Sequence, residues 1–255
     1  METTLDYFSS SGENEACNQS MKLLTFRLHG SFAHFNQPIS NRFRNTYSII
    51  PKPQLLGLIG SIAGLRGYTN NKTFPEFCSR IGDLKVYIRS NNNSDKKFIV
   101  NYNSLNSFLN NRADTGSPNV IINEQVLLDP DYEIGLLLDE NNDLHSTIIE
   151  NIRHNHSVFP IYLGKNEFFA NIQYQSLKEY EMNSAKEPVC RSILPFDELE
   201  GEGTNNMKLE MLPVGFDEAF KYIYRLMVIP QKECVVPLKN PDKCIASCDN
   251  VYYVF

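Results

Sequence analysis

Hydrophobic and polar positions fall into register from Lys22 onward. Leu24, Phe26 and Leu28 alternate with Lys22, Thr25, Arg27 and His29, with Leu23 breaking the pattern. A period of two with one apolar side predicts a strand with one buried face. Gly30-Ser31 ends it, and Phe32 to Pro38 leads into a loop holding Arg42 and Arg44. Pro51 and Pro53 bracket Lys52 and open a predicted helix over 54–65. Leu55, Leu58, Ile59 and Ile62 give it an apolar face, and Gly57, Gly60, Ser61 and Gly64 a face of small residues. Each helical glycine costs about 1 kcal/mol relative to alanine. That face therefore implies close backbone approach, to the sheet beneath the helix ahead of a ligand.

Strands are predicted over 84–90 and 97–102, separated by the turn 91–95. Residues 103–119, rich in Asn, Ser and Gly, read as a long excursion, either a hairpin arm or a mobile loop. Strands follow over 120–128 and 132–139. Asp143 is positioned to cap a helix over 144–153, with Ile148, Ile149 and Ile152 inward. Residues 176–206 are polar and acidic and predicted irregular. Strands return over 207–213, 221–229, 233–238 and 251–255. Residues 1–20 carry no period and are read as a disordered tail. The element order fits an α+β fold of ferredoxin-like or RNA-recognition type. It spans 21–175, and 176–255 completes or extends it with further strands.

The composition adds limits. The chain has 255 residues, 42% hydrophobic and 21% charged, which is ordinary globular usage for one large domain or two small ones. The longest apolar run, Leu55 to Leu65, contains three glycines and falls short of the roughly 20 residues a membrane span needs. With no secretory signal visible, a cytoplasmic protein without membrane contact is expected. The six cysteines (17, 78, 190, 234, 244 and 248) then read as reduced thiols. Cys234, Cys244 and Cys248 have a loose zinc-like spacing, but buried structural thiols are favoured and neither metal nor cofactor is expected.

The net charge of −6 hides an asymmetry. Residues 22–112 hold 13 Lys or Arg against the acids Glu76, Asp83 and Asp95; the rest holds 11 basic and 27 acidic residues. Either the first half faces a polyanion or the two halves neutralise each other internally. Arg42, Arg44 and Lys52 share an acid-free stretch with Phe35, Phe43 and Tyr47. Cations neutralise phosphates and aromatic planes stack on unpaired bases, so this set suits single-stranded RNA, against the alternative of a basic surface loop with core aromatics. Arg27 and His29 on the first strand, and His34 beyond the turn, extend it. His154, His156, Tyr162 and Lys165 supply acid, base and cation for metal-free RNA cleavage, a second reading. No nucleotide-binding loop, zinc-protease or nucleophile-elbow motif is present, and Gly57-Leu58-Ile59-Gly60 matches a backbone-clamping GXXG loop only superficially, being helical.

Three ordered blocks carry a resemblance. Gly30-Ser31-Phe32-Ala33-His34-Phe35 with the run from Tyr47 to Leu65, then Leu127 to Ile134, then Phe159 to Ile172 with its Leu163-Gly164-Lys165-Asn166-Glu167 centre, are similar to the CRISPR-associated Cas five family; Leu212-Pro213-Val214 suggests a fourth. Ile50-Pro51 replaces the family's common double proline, and Ser61 its usual alanine. The resemblance implies a modified RNA-recognition (RAMP) fold in a type I Cascade complex, most like type I-B. It implies grip on the 5′ handle of the crRNA, contact with the first backbone subunit (Cas seven), docking of the large subunit (Cas eight), and access to target DNA only through the complex. Residues 103–119 become a thumb candidate, with Asn111 and Arg112 at its interface. The expected RNA contacts are Arg27, His29, His34, Phe35, Arg42, Arg44, Tyr47, Lys52, Lys165 and Asn166. Members of the type I-C branch cleave precursor crRNA; here a non-enzymatic subunit is expected.

Overall fold

A computed structural model of the chain describes residues 21–40, 43–69, 73–92, 96–105, 119–182, 189–200, 207–231, 236–247 and 250–255. The predicted tail 1–20 and the excursion's centre, with Asn111 and Arg112, lie outside the described residues, as does Arg42.

In chain order the first elements are β1 (Met21–His29), β2 (Phe32–Ala33), β3 (Phe43–Arg44), α1 (Lys52–Ala63), α2 (Glu76–Ile81), β4 (Val86–Ser90), β5 (Lys97–Leu105), β6 (Asn119–Leu128), β7 (Asp131–Asp139), α3 (Asp143–Arg153) and β8 (Asn171–Lys178). There follow β9 (Glu181–Met182), β10 (Val189–Cys190), β11 (Leu194–Pro195), β12 (Met207–Phe216), β13 (Tyr222–Pro230), β14 (Val236–Pro237), β15 (Cys244–Ser247) and β16 (Asn250–Tyr253).

The central sheet has the order β4-β7-β1-β8, and each neighbouring pair is antiparallel. With α1 between β1 and β4 and α3 between β7 and β8, this is the β-α-β-β-α-β ferredoxin-like topology. Leu24, Phe26 and Leu28 meet Leu55, Ile59 and Ile62 of α1 and Ile148, Ile149 and Ile152 of α3 in one core, as the alternation predicts. In place of a tight β4–β7 connection the chain inserts β5 and β6, paired antiparallel from Lys97↔Leu127 to Leu105↔Asn119. β2 and β3 pair with β6 on its other side. The excursion is thus flanked by a long two-stranded stem.

The opposite face of the central sheet is covered. Leu23, Tyr87 and Leu137 pack against Ile245 and Tyr252 of the C-terminal sheet, whose order is β14-β10-β16-β15-β9. The Tyr87 and Tyr252 rings stack at 4.0 Å. A third sheet, β11-β13-β12, joins through Met227 and Ile229, which reach the main core.

Several boundaries differ from the sequence expectation. The N-terminal helix begins at Lys52 and ends at Ala63, because Gly64 adopts φ +79° as its left-handed cap. Its glycine face meets α2, a helix the periodicity does not show: a Cβ on Gly60 would lie 2.9 Å from that of Phe77. Asn142, rather than Asp143, caps α3, its side chain accepting from the Leu144 and His145 amides. The segment predicted irregular contains β9, β10 and β11, and β8 begins just before it. No helix among the described residues is long and apolar enough to cross a membrane.

Candidate nucleic-acid interface

The first and third sequence blocks meet through two glycines. A Cβ on Gly30 would lie 2.8 Å from the Phe169 carbonyl oxygen, and one on Gly164 only 1.9 Å from that of His34; Gly164 also holds φ +89°. Only glycine permits that combination of conformation and approach. The His34 amide donates to the Leu163 carbonyl (3.0 Å), and loop 159–169 is thereby laid along residues 30–35.

This junction buries much of the expected aromatic cradle. Phe35 is 1% exposed and Tyr47 4%, both in the main core. Burial, then the hydrogen bond to Tyr224, raises the Tyr47 phenol well above its usual range. His34 is buried, with Nδ1 2.8 Å from the Gln125 carbonyl oxygen. Lys52 is buried and donates to the Phe255 carbonyl oxygen (2.7 Å). These four are therefore packing groups here, a correction to their reading as surface contacts: the loop folds inward with Thr46, fully buried, accepting from the Phe35 amide (2.9 Å), and Lys52 is buried at the start of α1. Arg27 lies on the central sheet and is held by Asp131 through two hydrogen bonds, of 2.9 and 2.7 Å. His29 ends the same strand, opposite Asp131 and Asn171.

Arg44 and Lys165 meet at the base of the β5–β6 stem. Glu124 of β6 is 2% exposed. Lys165 donates to its Oε1 at 2.7 Å and also to Glu167 at 2.7 Å. Arg44 lies 3.7 Å from its Oε2 and donates to the Tyr102 hydroxyl (2.9 Å), which donates to Glu124 (3.2 Å). The register explains the gathering: Arg44 pairs with Glu124 from one side, Val100 from the other, and Tyr102 lies two residues on, on the same face. Burial alone would lower the Lys165 ammonium, but Glu124 and Glu167 outweigh it and raise it. Lys165 Nζ sits 5.5 Å from the ring centres of both Tyr102 and Phe168. Phe168 contacts Phe32, and Phe32 contacts Phe98, each at 5.8 Å between centroids. Phe32 and Phe98 are both exposed. A row of aromatic edges thus runs into two cations.

Beside it, α1, loop 159–169 and the β12–β13 hairpin enclose a cleft of about 950 Å³. Tyr162 and Asn166 line it, with Phe169, Phe216 and Tyr222. The four residues suited to cleavage have separate surroundings. His154 caps α3 and its ring contacts the Glu150 carbonyl oxygen (2.9 Å), His156 is exposed beyond that helix, Tyr162 faces the cleft, and Lys165 is held by carboxylates. Among the described residues no His, Cys, Asp and Glu group forms a metal site. Cys244 is buried, its thiol pushed up to about 12 by burial, while Cys234 and Cys248 lie outside the described residues.

The family model described as "CRISPR-associated protein (Cas_Cas5)" matches residues 23–213, most of the chain. The chain belongs to this family. No curated protein sequence matches it. Similar solved structures include a chain of a "CRISPR RNA-guided surveillance complex" (15% identity, 84% of this chain and 91% of that one, TM-score 0.47). Another is a CRISPR protein from Archaeoglobus fulgidus (13%, 92% and 97%, 0.49), and a third is a chain of a Type III-B Cmr-beta complex bound to target RNA (10%, 91% and 99%, 0.48). Within this Cas_Cas5 member, the motif glycines Gly30 and Gly164 are the crossing point that brings Lys165 to the stem. Tyr102, Phe32, Phe98 and Phe168 complete the surface over buried Glu124, and none of the five was singled out by residue type. The register that places Arg44 opposite Glu124, with the Lys165 side chain on the same carboxylate, draws attention to them.

Proposed function

We propose that this CRISPR-associated protein is an RNA-binding structural subunit of a type I surveillance complex, and that it holds the repeat-derived 5′ segment of the crRNA at the base of the β5–β6 stem. The observation that carries this reading is the convergence of Arg44 and Lys165 with the aromatic row Phe168, Phe32 and Phe98. Unpaired bases stack on exposed rings while cations take the phosphates between them, and each stacked base contributes about 1–3 kcal/mol. Asn166 supplies an amide at the cleft side of the same loop. The stem would reach the first backbone subunit, the large subunit would dock on the remaining surface, and target DNA would be met only through the assembled complex. The protein works by binding, not by cleaving.

The test is an assembled complex carrying Arg44→Glu with Lys165→Glu, compared with wild type for crRNA retention across a salt series. Retention should fall, and the salt slope should become shallower by about 0.7 for every phosphate of the single-stranded RNA that is no longer neutralised. Unchanged retention at every salt concentration refutes the assignment. Incubating the chain with labelled repeat RNA in EDTA tests the non-enzymatic reading; scission abolished by His156→Ala would overturn it.

A further inference from the structure

We infer that Glu124 is a positioning residue that sets RNA specificity, by fixing Arg44 and Lys165 at one spacing on the stem. The inference rests on the RNA-binding reading above. A glutamate that is 2% exposed in the middle of a strand is costly unless its charge is paired and hydrogen-bonded. Glu124 meets that condition from three segments that are distant in sequence. Lys165 comes from loop 159–169, Arg44 from β3, and Tyr102 from β5. Each of these partners is long or pivots about a single bond, and each has freedom to lose.

The chemistry separates two effects. Removing the charge of Glu124 leaves Arg44 without its carboxylate and Lys165 paired with Glu167 alone, so attraction for any polyanion increases. The same change turns one of the two acceptor oxygens into a donor, so Oε1 and Oε2 no longer hold Lys165 and Arg44 together and a particular backbone path loses its advantage. A charge that was only structural would, on removal, weaken all RNA binding together by destabilising the fold. A positioning charge moves specific and non-specific affinity in opposite directions.

The experiment uses the full chain with two labelled single-stranded RNAs of equal length, the 5′ segment of its own repeat and a scrambled version. Glu124→Gln keeps the shape and removes the charge. The ratio of the two affinities should fall by roughly tenfold, the scale of one charge-assisted hydrogen bond. The salt slope for scrambled RNA should steepen by up to about 0.7. Tyr102→Phe, which deletes only the hydroxyl between Arg44 and Glu124, should lower the ratio less and in the same direction; it decides the matter if Glu124→Gln does not fold. An unchanged ratio in a folded variant, or a parallel loss for both RNAs, overturns the positioning role while leaving the RNA-binding reading intact. A wild-type chain that does not prefer its own repeat segment refutes that reading itself, and the role with it.

Discussion

Replacing Lys52 by methionine should change how stability depends on pH, in a direction that the fold dictates. Lys52 is the first residue of α1, 8% exposed, and its ammonium donates to the Phe255 carbonyl oxygen at 2.7 Å. Burial lowers its pKa from the ordinary 10.5 to about 8, with Asp83 pulling the other way. The positive end of the α1 dipole also disfavours a cation there. Below pH 8 the lysine is charged in both folded and unfolded chains, and the fold bears the full desolvation cost. Between about 8 and 10.5 the folded state loses its proton first, the unfolded chain binds more protons, and stability rises with pH. At about 1.36 kcal/mol per pH unit the gap corresponds to roughly 3 kcal/mol. Methionine fills similar volume and has nothing to titrate.

Urea unfolding of wild type and Lys52→Met at intervals from pH 7 to 11 provides the assay. The buried tyrosines and cysteines ionise in both proteins, so the difference in stability isolates Lys52. That difference should move in favour of wild type as pH rises, by about 3 kcal/mol across the window. A flat difference would show that the ammonium is solvated. A difference moving the other way would show that the charge is net stabilising, through Asp83, and would refute the burial argument.

Three further outcomes follow from local geometry. Gly135→Ala would put a Cβ 1.9 Å from the Tyr87 ring, which Tyr252 clamps from the far side; a loss of about 1–3 kcal/mol is expected, with amide exchange rising in β15 and β16 before α1. Asn142→Ala should cost about 1 kcal/mol by thermal melting, since both amides that it caps lose their acceptor. Burial alone would raise the Asp131 carboxyl, but Arg27 and Asn91 hold it below the usual carboxylate range. Its contribution is therefore present above the ordinary carboxylate pKa and lost as pH falls through the folded value, so Asp131→Asn should flatten the acid limb of the stability curve.

The parts of the fold that were legible in the sequence are those with one clear face. β1 alternates strictly from Leu24 to Leu28, and Pro51 and Pro53 mark the start of α1 within two residues. β8 was not legible, because Asn171–Lys178 is a half-buried edge strand whose Ile172, Tyr174 and Leu177 do not keep one period. The six residues of α2 are too few for a helical period to show. The surface chemistry was legible only in part. Arg44 and Lys165 stand out by charge and motif, whereas an acid in a strand such as Glu124 reads as a solvent-facing residue until the register sets Arg44 across from it. Phe35 and Tyr47 look like Phe32 and Phe98 in sequence; it is the inward fold of the loop at Thr46 that sends the first pair to the core and leaves the second outside.

The charge asymmetry separates into two populations, and that separation is testable. Lys22 pairs with Glu140, Arg27 with Asp131 and Arg89 with Glu133, so the acids of β7 and its C-terminal turn neutralise the basic residues of the central sheet. The face that carries Arg27 and Arg89 lies under Tyr252 and Ile245, whereas Lys22 falls on the alternate face with Leu24. The open sheet face, an RNA platform in RNA-recognition domains, is therefore both neutralised and covered, in keeping with the proposed RNA contact on the inserted stem. Arg27→Gln should then lower stability by something on the order of 1 kcal/mol, since its pair is partly exposed, and leave the salt slope of RNA binding unchanged. Arg44→Gln should make the slope shallower, and should also lower stability because buried Glu124 loses one of its partners. If Arg27→Gln alters the slope and Arg44→Gln does not, RNA lies on the sheet after all, and the C-terminal sheet must lift from Tyr87 to admit it.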